Sequence, residues 1–257
     1  MSDDAALRDA LDFAVELAWR AGRLTLGHFR AGVAIETKAD RSPVTVADRD
    51  GERLIRAALE RRFPDDGILG EEFGELRAGA ERRWIIDPID GTRSFARGVP
   101  LYGVMIALEA AGVAVLGVLH FPPLGETVYA ARGLGCWVDG RRARVSAVAT
   151  LAEALVLTTD QERLWRQDLA DGWDDLRFEA GFVRTWGDCY GHALVATGRA
   201  EAMIDPVSAP WDAAALQPII EEAGGMFSAL DGRVTHLGGS AISTNAALAE
   251  AVRDRLR

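Results

Sequence analysis

Small and apolar residues at Leu7, Leu11, Ala14, Val15, Ala18, Gly22 and Leu26 recur at steps of three and four. That is the period of an amphipathic helix, so the chain is predicted to open with a long one. A second helical pattern runs through Leu54, Ile55, Ala58, Leu59 and Phe63 and stops at Pro64, which places the segment Thr45 to Asp50 at its start. Short apolar runs separated by glycine follow in RRWIID, LYGVMIALEA, VAVLGVLHF and ETVYAA and read as strands joined by tight turns.

From Ala154 the pattern changes to alternation. A strand in ALVLTTD precedes a helix from Gln161, a strand over Gly181 to Trp186 precedes a helix from Asp188, and a strand in EAMID precedes a helix from Pro210. Such alternation predicts layered α/β packing. No Pro- or Ser-rich linker, repeat or low-complexity tract intervenes, so two closely packed subdomains are expected, residues 1–142 and 143–257.

Carboxylates stand at the ends of several of these elements. The apolar strand Trp84 to Ile86 delivers Asp87, the chain turns through Pro88 and Ile89, and Asp90 follows, a spacing that lets two acids share one cation. Gly91 and Thr92 then lead into a short stretch able to start a helix, whose free N–H groups would face an anion. Taken singly, Asp90 is equally readable as a helix cap and Asp87 as a turn residue. The segment GILGEEFG sets Glu71 and Glu72 behind another short strand, and PWDAA puts Asp212 in the first turn of a helix. An isolated Glu pair reads as a solvated turn and an isolated first-turn Asp as a partner of the helix dipole. Together, however, they supply the hard oxygen ligands that magnesium requires.

Composition narrows the reading. The 257 residues carry 39 acidic and 29 basic side chains, a net charge of −10, which argues against a nucleic-acid or anionic-membrane partner. A cation held by clustered acids would still let the site attract phosphate. Cys136 and Cys189 lack zinc or redox spacing and read as packed thiols, while His28, His120, His192 and His236 are scattered singly and read as structural or surface residues. The acidic start MSDDAALRDALDF is unlike a signal peptide and no apolar run reaches membrane-spanning length, so a cytoplasmic protein is expected.

Asp48 in SPVTVAD, the GEE of Glu71 and Glu72, DPIDGT from Asp87 to Thr92, and WDAA from Trp211 to Ala214 form, in order and spacing, a set that resembles the inositol monophosphatase family of lithium-sensitive, magnesium-dependent phosphatases. The resemblance spans nearly the whole chain. It implies an α+β fold, a five-layered αβαβα sandwich, assembled as a homodimer, with two or three Mg2+ ions per active site. By position, Glu71, Asp87 and the carbonyl of Ile89 would hold one ion and Asp87, Asp90 and Asp212 a second. Glu71 would also touch a third through water. Thr92 would orient the attacking water, with Asp48 bonded to its hydroxyl, and the amides of Gly91 and Thr92 would grip the phosphate of a small phosphorylated metabolite. The absence of a Cys, Ser or His nucleophile motif is consistent with this, since positioning and charge neutralisation dominate phosphoryl transfer.

Three stretches, GTRSFARGVPLYG, RTWGDCYGHALVATG and MIDPVSAPWDAAAL, look most like the histidinol-phosphatase branch. Asp188 stands where inositol-specific relatives have a small residue, and a carboxylate there would suit the ammonium or imidazole of an amino-alcohol substrate. It could equally cap the helix that follows. Asp205 lies where those relatives carry an acid that contacts substrate, and Arg184 could contact substrate, brace Asp188 or serve the surface. Arg93 and Ser94 replace the polar pair expected of inositol-specific members, and Leu101 with Tyr102 stands where some histidinol phosphatases have an apolar residue followed by Trp. The alternatives are an inositol-1-phosphate or broad sugar-phosphate phosphatase and, from another class, a metal-binding regulatory protein without turnover. The polar loop from Lys38 to Val44, with Asp40, Arg41, Ser42 and Pro43, either closes over the site or is an inert surface loop.

Overall fold

The structure, a computed structural model, describes residues 3–38 and 43–256. Helix α1 (Asp3–His28) buries one stripe of small and apolar residues, in which Ala10, Ala14, Ala18 and Ala21 allow the backbone a close approach to the sheet beneath. A ribbon of β1 (Glu36–Thr37) and β2 (Pro43–Val44) leads into α2 (Val46–Arg62). Thr45 starts α2: its Oγ1 accepts the Ala47 N–H at 3.1 Å while the Asp48 carboxylate accepts the Thr45 N–H at 2.8 Å. The helix ends at Arg62 with Phe63 as its C-cap, just before the predicted stop at Pro64.

An eight-stranded sheet follows, built from β3 (Gly67–Gly70), β4 (Gly74–Leu76), β5 (Arg82–Asp90), β6 (Gly103–Ala110), β7 (Val113–Phe121), β8 (Glu126–Ala131), β9 (Gly135–Val138) and β10 (Arg141–Arg142), with α3 (Thr92–Ala96) between β5 and β6. Its spatial order is β10-β9-β8-β7-β6-β5-β3-β4, antiparallel except for the β3–β5 pair. A five-stranded sheet takes the order β12-β11-β13-β15-β14. Its strands are β11 (Leu155–Thr158), β12 (Phe182–Arg184), β13 (Ala202–Asp205), β14 (Met226–Ser228) and β15 (Ala241–Thr244). The remaining helices are α4 (Gln161–Arg166), α5 (Ala170–Glu179), α6 (Asp188–Ala196), α7 (Pro210–Ala213), α8 (Leu216–Glu222) and α9 (Ala249–Arg255).

Strand alternation sorts the core into layers. Trp84 and Ile86 of β5 pack against α1 and α2, whereas Ile85 between them points to the opposite face. There Ile85, Met105 and Leu119 meet α6 and α8 through Leu194, Val195, Ile219 and Ile220, and those helices in turn rest on Leu155, Leu157 and Met203 of the second sheet. The far face of that sheet, with Val156, Ala202 and Ile204, is covered by Trp173 and Leu176 of α5 and by Val252 from α9. The result is helix, sheet, helix, sheet, helix, the expected αβαβα sandwich. Among the described residues no helix is long and apolar enough to cross a membrane.

The strand expected over Gly181 to Trp186 shortens to β12, and β4, β9, β10, β14, β15, α5 and α9 had no counterpart in the sequence pattern. All of these strands are short, from 2 to 4 residues, and most owe their extended form to a neighbour rather than to local alternation.

The central helical layer sits close on the large sheet. A Cβ added at Gly117 of β7 would lie 2.1 Å from the Ala215 carbonyl oxygen, just before α8. We therefore expect Gly117→Ala to force sheet and helix apart and to lower stability by about 1–3 kcal/mol. Urea unfolding would measure it, and an unchanged midpoint would show that this contact does not limit the packing.

Candidate active site

Strand β5 creates the site by failing to remain regular. Residues three apart in a strand point to opposite faces, yet the register against β6 shifts between Asp87 and Asp90, where Pro88 lacks an N–H for the ladder. That irregularity brings the two carboxylates together. The Ile89 N–H donates to Asp87 Oδ1 at 2.9 Å, and the Cys189 N–H at the start of α6 donates to Asp90 Oδ2 at 2.5 Å. Asp90 is no cap, because Gly91 holds that position before α3. Asp212, in the first turn of α7, accepts the Ala209 N–H at 2.8 Å. One donor atom from each of Asp87, Asp90 and Asp212 lies within 4.8 Å of the others.

Such a group is electrostatically costly as it stands. Burial, then the charges of Glu71 and Asp90, push Asp87 well above the ordinary carboxylate range, and burial with Asp188 and Asp212 does the same to Asp90. Asp212 is raised to about 6, chiefly by burial. Glu71, also raised by burial, meets the Lys38 Nζ at 2.7 Å, and Glu72 meets the same ammonium at 2.5 Å. Burial disfavours the Lys38 charge, but its bonds to the two glutamates outweigh this and hold its pKa above the usual value. A divalent cation suits this donor set: the ligands are hard oxygens, the three aspartates are held by backbone N–H donors rather than by neutralising side chains, and their mutual repulsion is what a cation relieves.

Thr92 and Asp48, distant in sequence, meet as expected. The Thr92 Oγ1 lies 3.1 Å from Asp48 Oδ1 and 3.0 Å from the Ile89 carbonyl, so its one hydroxyl proton has two acceptors. Asp48 is fixed from its other oxygen by the backbone N–H and hydroxyl of Thr45, at 2.8 and 2.6 Å.

Across the cleft, Asp188 is the first residue of α6 with Gly187 before it as the cap, so its side chain is not spent on capping. It has φ +54°, a strained conformation for a residue with a side chain, held by the 2.7 Å bond from its N–H to Thr159 Oγ1. Its carboxyl faces Gly91, which itself has φ +84°: a Cβ there would stand 2.9 Å from Asp188 Oδ2. Burial, with Asp205 nearby, raises Asp188 to about 6, against a hydrogen bond from Ser94 and the charges of Arg163 and Arg93. Arg93 and Ser94, anomalous in the sequence, thus offset this acid. The walls enclose about 490 Å3, to which Asp205 and Asp160 add further carboxylates. Arg184 does not reach this lining. Its Nη1 donates to the Val183 carbonyl at 2.7 Å and its guanidinium lies over the Phe182 ring, while Arg163 of α4 supplies a cation on that side.

Residues 6–256 match the inositol monophosphatase family. Over 93% of each chain the protein is 51% identical to a histidinol-phosphatase of Chlorobaculum parvum, and over 96% of its length and 98% of the relative's it is 42% identical to a histidinol-phosphatase of Mycobacterium tuberculosis. Among solved structures, a Thermotoga maritima IMPase aligns with a TM-score of 0.88 at 32% identity over 96% of both chains. The chain belongs to the inositol monophosphatase family. As such it is a phosphoric monoester hydrolase.

Within that family frame, several site residues lacked any signal in the sequence. Glu52 of α2, buried, accepts the N–H groups of Glu72 and Phe73 at 2.7 and 3.1 Å and so holds the loop that presents Glu71. Thr159, Asp160, Arg163 and His192 line the cleft from the second sheet and its helices. His192 stood among the histidines read as structural. Of the loop expected to cover the site, Asp40, Arg41 and Ser42 lie outside the described residues, and Lys38 reaches the glutamates.

The folded chain binds protons at Asp212 and Asp188 near pH 6, against 3.8 ordinarily, because burial and then the neighbouring carboxylates disfavour their charges, so this cost is absent below about pH 4, grows as pH rises from about 4 to 6, and acts in full at neutrality. A divalent cation that relieves it must stabilise the chain more at about pH 7.5 than at about pH 5. Thermal melts of chelated and magnesium-loaded protein at the two pH values measure this, and equal shifts at both would place the cation elsewhere.

Proposed function

We propose that the protein is a magnesium-dependent histidinol-phosphate phosphatase. The observation that carries the substrate is Asp188. It is free of capping duty, pinned over Gly91 beside the phosphate-facing turn, and joined by Asp205 and Asp160 on the leaving-group side. A wall of that charge suits a leaving group bearing an ammonium and an imidazole and is ill suited to an uncharged polyol. The two histidinol-phosphatase relatives, matched over nearly their whole lengths, support the same reading.

In this reading Glu71, Asp87 and the Ile89 carbonyl hold one magnesium, and Asp87, Asp90 and Asp212 a second. Bound magnesium supplies activation of water near neutral pH and neutralises charge at the phosphate. The chain's own residues do the remaining work. Thr92, its proton directed to Asp48, presents a hydroxyl lone pair to the incoming water. The N–H groups of Gly91 and Thr92, at the turn before α3, receive the phosphate oxygens. Asp188 and Asp205 receive the cationic leaving group and align the ester for in-line displacement.

Initial rates of phosphate release from histidinol phosphate, inositol-1-phosphate and fructose-1,6-bisphosphate, with magnesium and with chelator, test the reading. The expected result is a magnesium-dependent preference in kcat/KM for histidinol phosphate. A preference for inositol-1-phosphate would keep the metal assignment and remove the role given to Asp188.

Two variants separate metal from substrate. Loss of residues that merely support metal ligands costs 10- to 100-fold, so Asp90→Asn, which alters a ligand without changing its size, should cost more than about 100-fold. Asp188→Ala should reduce kcat/KM for histidinol phosphate by about tenfold or more beyond its effect on p-nitrophenyl phosphate, the worth of one charge-assisted hydrogen bond. Equal losses on both esters would remove Asp188 from recognition.

A further inference from the structure

Behind Asp205 runs a buried polar chain that the reaction scheme above does not use. His192, 1% exposed, projects from α6 between the cleft wall and the second sheet, with Nε2 3.2 Å from Asp205 Oδ2 and Nδ1 2.7 Å from Ser243 Oγ on β15. Ser243 is itself fully buried, and β15 pairs with β13, the strand that carries Asp205. The directions of the bonds follow from chemistry. A carboxylate oxygen only accepts, so Nε2 carries the hydrogen. In a neutral ring Nδ1 then accepts, so the Ser243 hydroxyl donates. Both ring nitrogens are satisfied, and the imidazole is locked in one tautomer and one orientation.

The other oxygen of Asp205 is held far more weakly. The Thr159 N–H reaches Oδ1 at 3.4 Å, and the carboxylate remains partly open to the cleft, at 16% side-chain exposure. One oxygen is therefore anchored from behind while the other is left for a ligand. An apolar side chain at position 192 would have filled the same space between α6 and the sheet without bringing a buried polar group that has to be satisfied at both ends. What distinguishes histidine is the donor it aims at Asp205.

We infer that His192, fixed by Ser243, is a positioning residue that orients Asp205 toward the leaving group and thereby contributes to the choice of substrate. This rests on the proposal that Asp205 faces the leaving group. Through its bond with Nε2–H, Asp205 keeps Oδ2 turned away from the cleft and presents Oδ1 to a donor on the substrate. Without it the carboxylate can rotate, and recognition of a cationic leaving group weakens more than turnover of an ester with none.

The test compares kcat and KM for histidinol phosphate and p-nitrophenyl phosphate in the magnesium-loaded wild type and in Asp205→Asn, His192→Leu and His192→Gln, with thermal melts of each variant. His192→Leu should raise KM for histidinol phosphate about tenfold relative to its effect on p-nitrophenyl phosphate, the worth of a hydrogen bond to a charged group. The amide of His192→Gln can still donate toward Asp205 and should recover most of that ratio. Combining His192→Leu with Asp205→Asn should add little to either alone, since both act through one carboxylate. If Asp205→Asn is selective against histidinol phosphate but His192→Leu reduces both esters equally, or glutamine rescues nothing, the inference fails while the role of Asp205 stands. If Asp205→Asn itself affects both esters alike, the assignment of Asp205 fails and the inference with it.

Discussion

Asp87, Asp90, Asp212 and Glu71 repel one another in the cleft, where burial makes their charges costlier still, and the molecule is arranged around that repulsion. The three aspartates of the cluster are each held by a backbone N–H: Asp87 by Ile89, Asp90 by Cys189, Asp212 by Ala209. These donors orient an oxygen without cancelling its charge, which leaves the cluster short of positive charge and open to a cation. Lys38 shows the same demand from the edge, since its ammonium serves Glu71 and Glu72 together. A fold that keeps such a group together must draw its stability from elsewhere. It does so from the apolar contacts of a central helical layer that both sheets share.

The convergence also couples elements that are remote in the chain. Asp90 at the end of β5 is bonded to the first turn of α6, and Gly91 next to it leaves room for the Asp188 side chain from the same turn. Thr159 at the end of β11 accepts the Asp188 N–H and offers its own to Asp205. The proposed phosphate and leaving-group ends of the cleft are thus parts of one hydrogen-bonded frame. Small displacements of α6 would disturb both, and the strained backbone at Asp188 persists because the surrounding contacts determine it from several sides.

The elements legible in the sequence were those with long periodicity or a sharp stop. α1, α2 with Thr45 and Asp48 at its start, and the long central strands were all visible, because each repeats its pattern over many residues or ends on a strong breaker. Strands such as β14 and β15 were not, since they extend only where the sheet offers partners. The carboxylates at strand and helix ends were readable because hard ligands at such positions have a narrow chemical meaning. Glu52 and His192 were not, because a helical Glu or a lone His carries no mark of what it will face. Whether Asp188 would cap α6 or enter the cleft was decided by backbone geometry at Gly187 and Asp188, which composition does not express. For Arg184 the sequence left open substrate contact, support of Asp188 and a surface role, and β12 decides for the last by turning its side chain onto Phe182.

A protein of net charge −10 with an acid-lined cleft would repel a phosphate ester throughout its approach, unless binding is divided between the two ends of the substrate. In the proposed assignment the carboxylates that repel the phosphate are those that hold magnesium, so the phosphate end becomes attractive only once the cations are present. The acids Asp188 and Asp205 are left out of that set and in this assignment attract the cationic leaving group. Specificity and catalysis then draw on different groups within one cleft. That division explains how a family scaffold can change its substrate by altering side chains such as the one at position 188 while the metal ligands stay as they are, and it makes the support behind Asp205 as consequential for selection as the carboxylate itself.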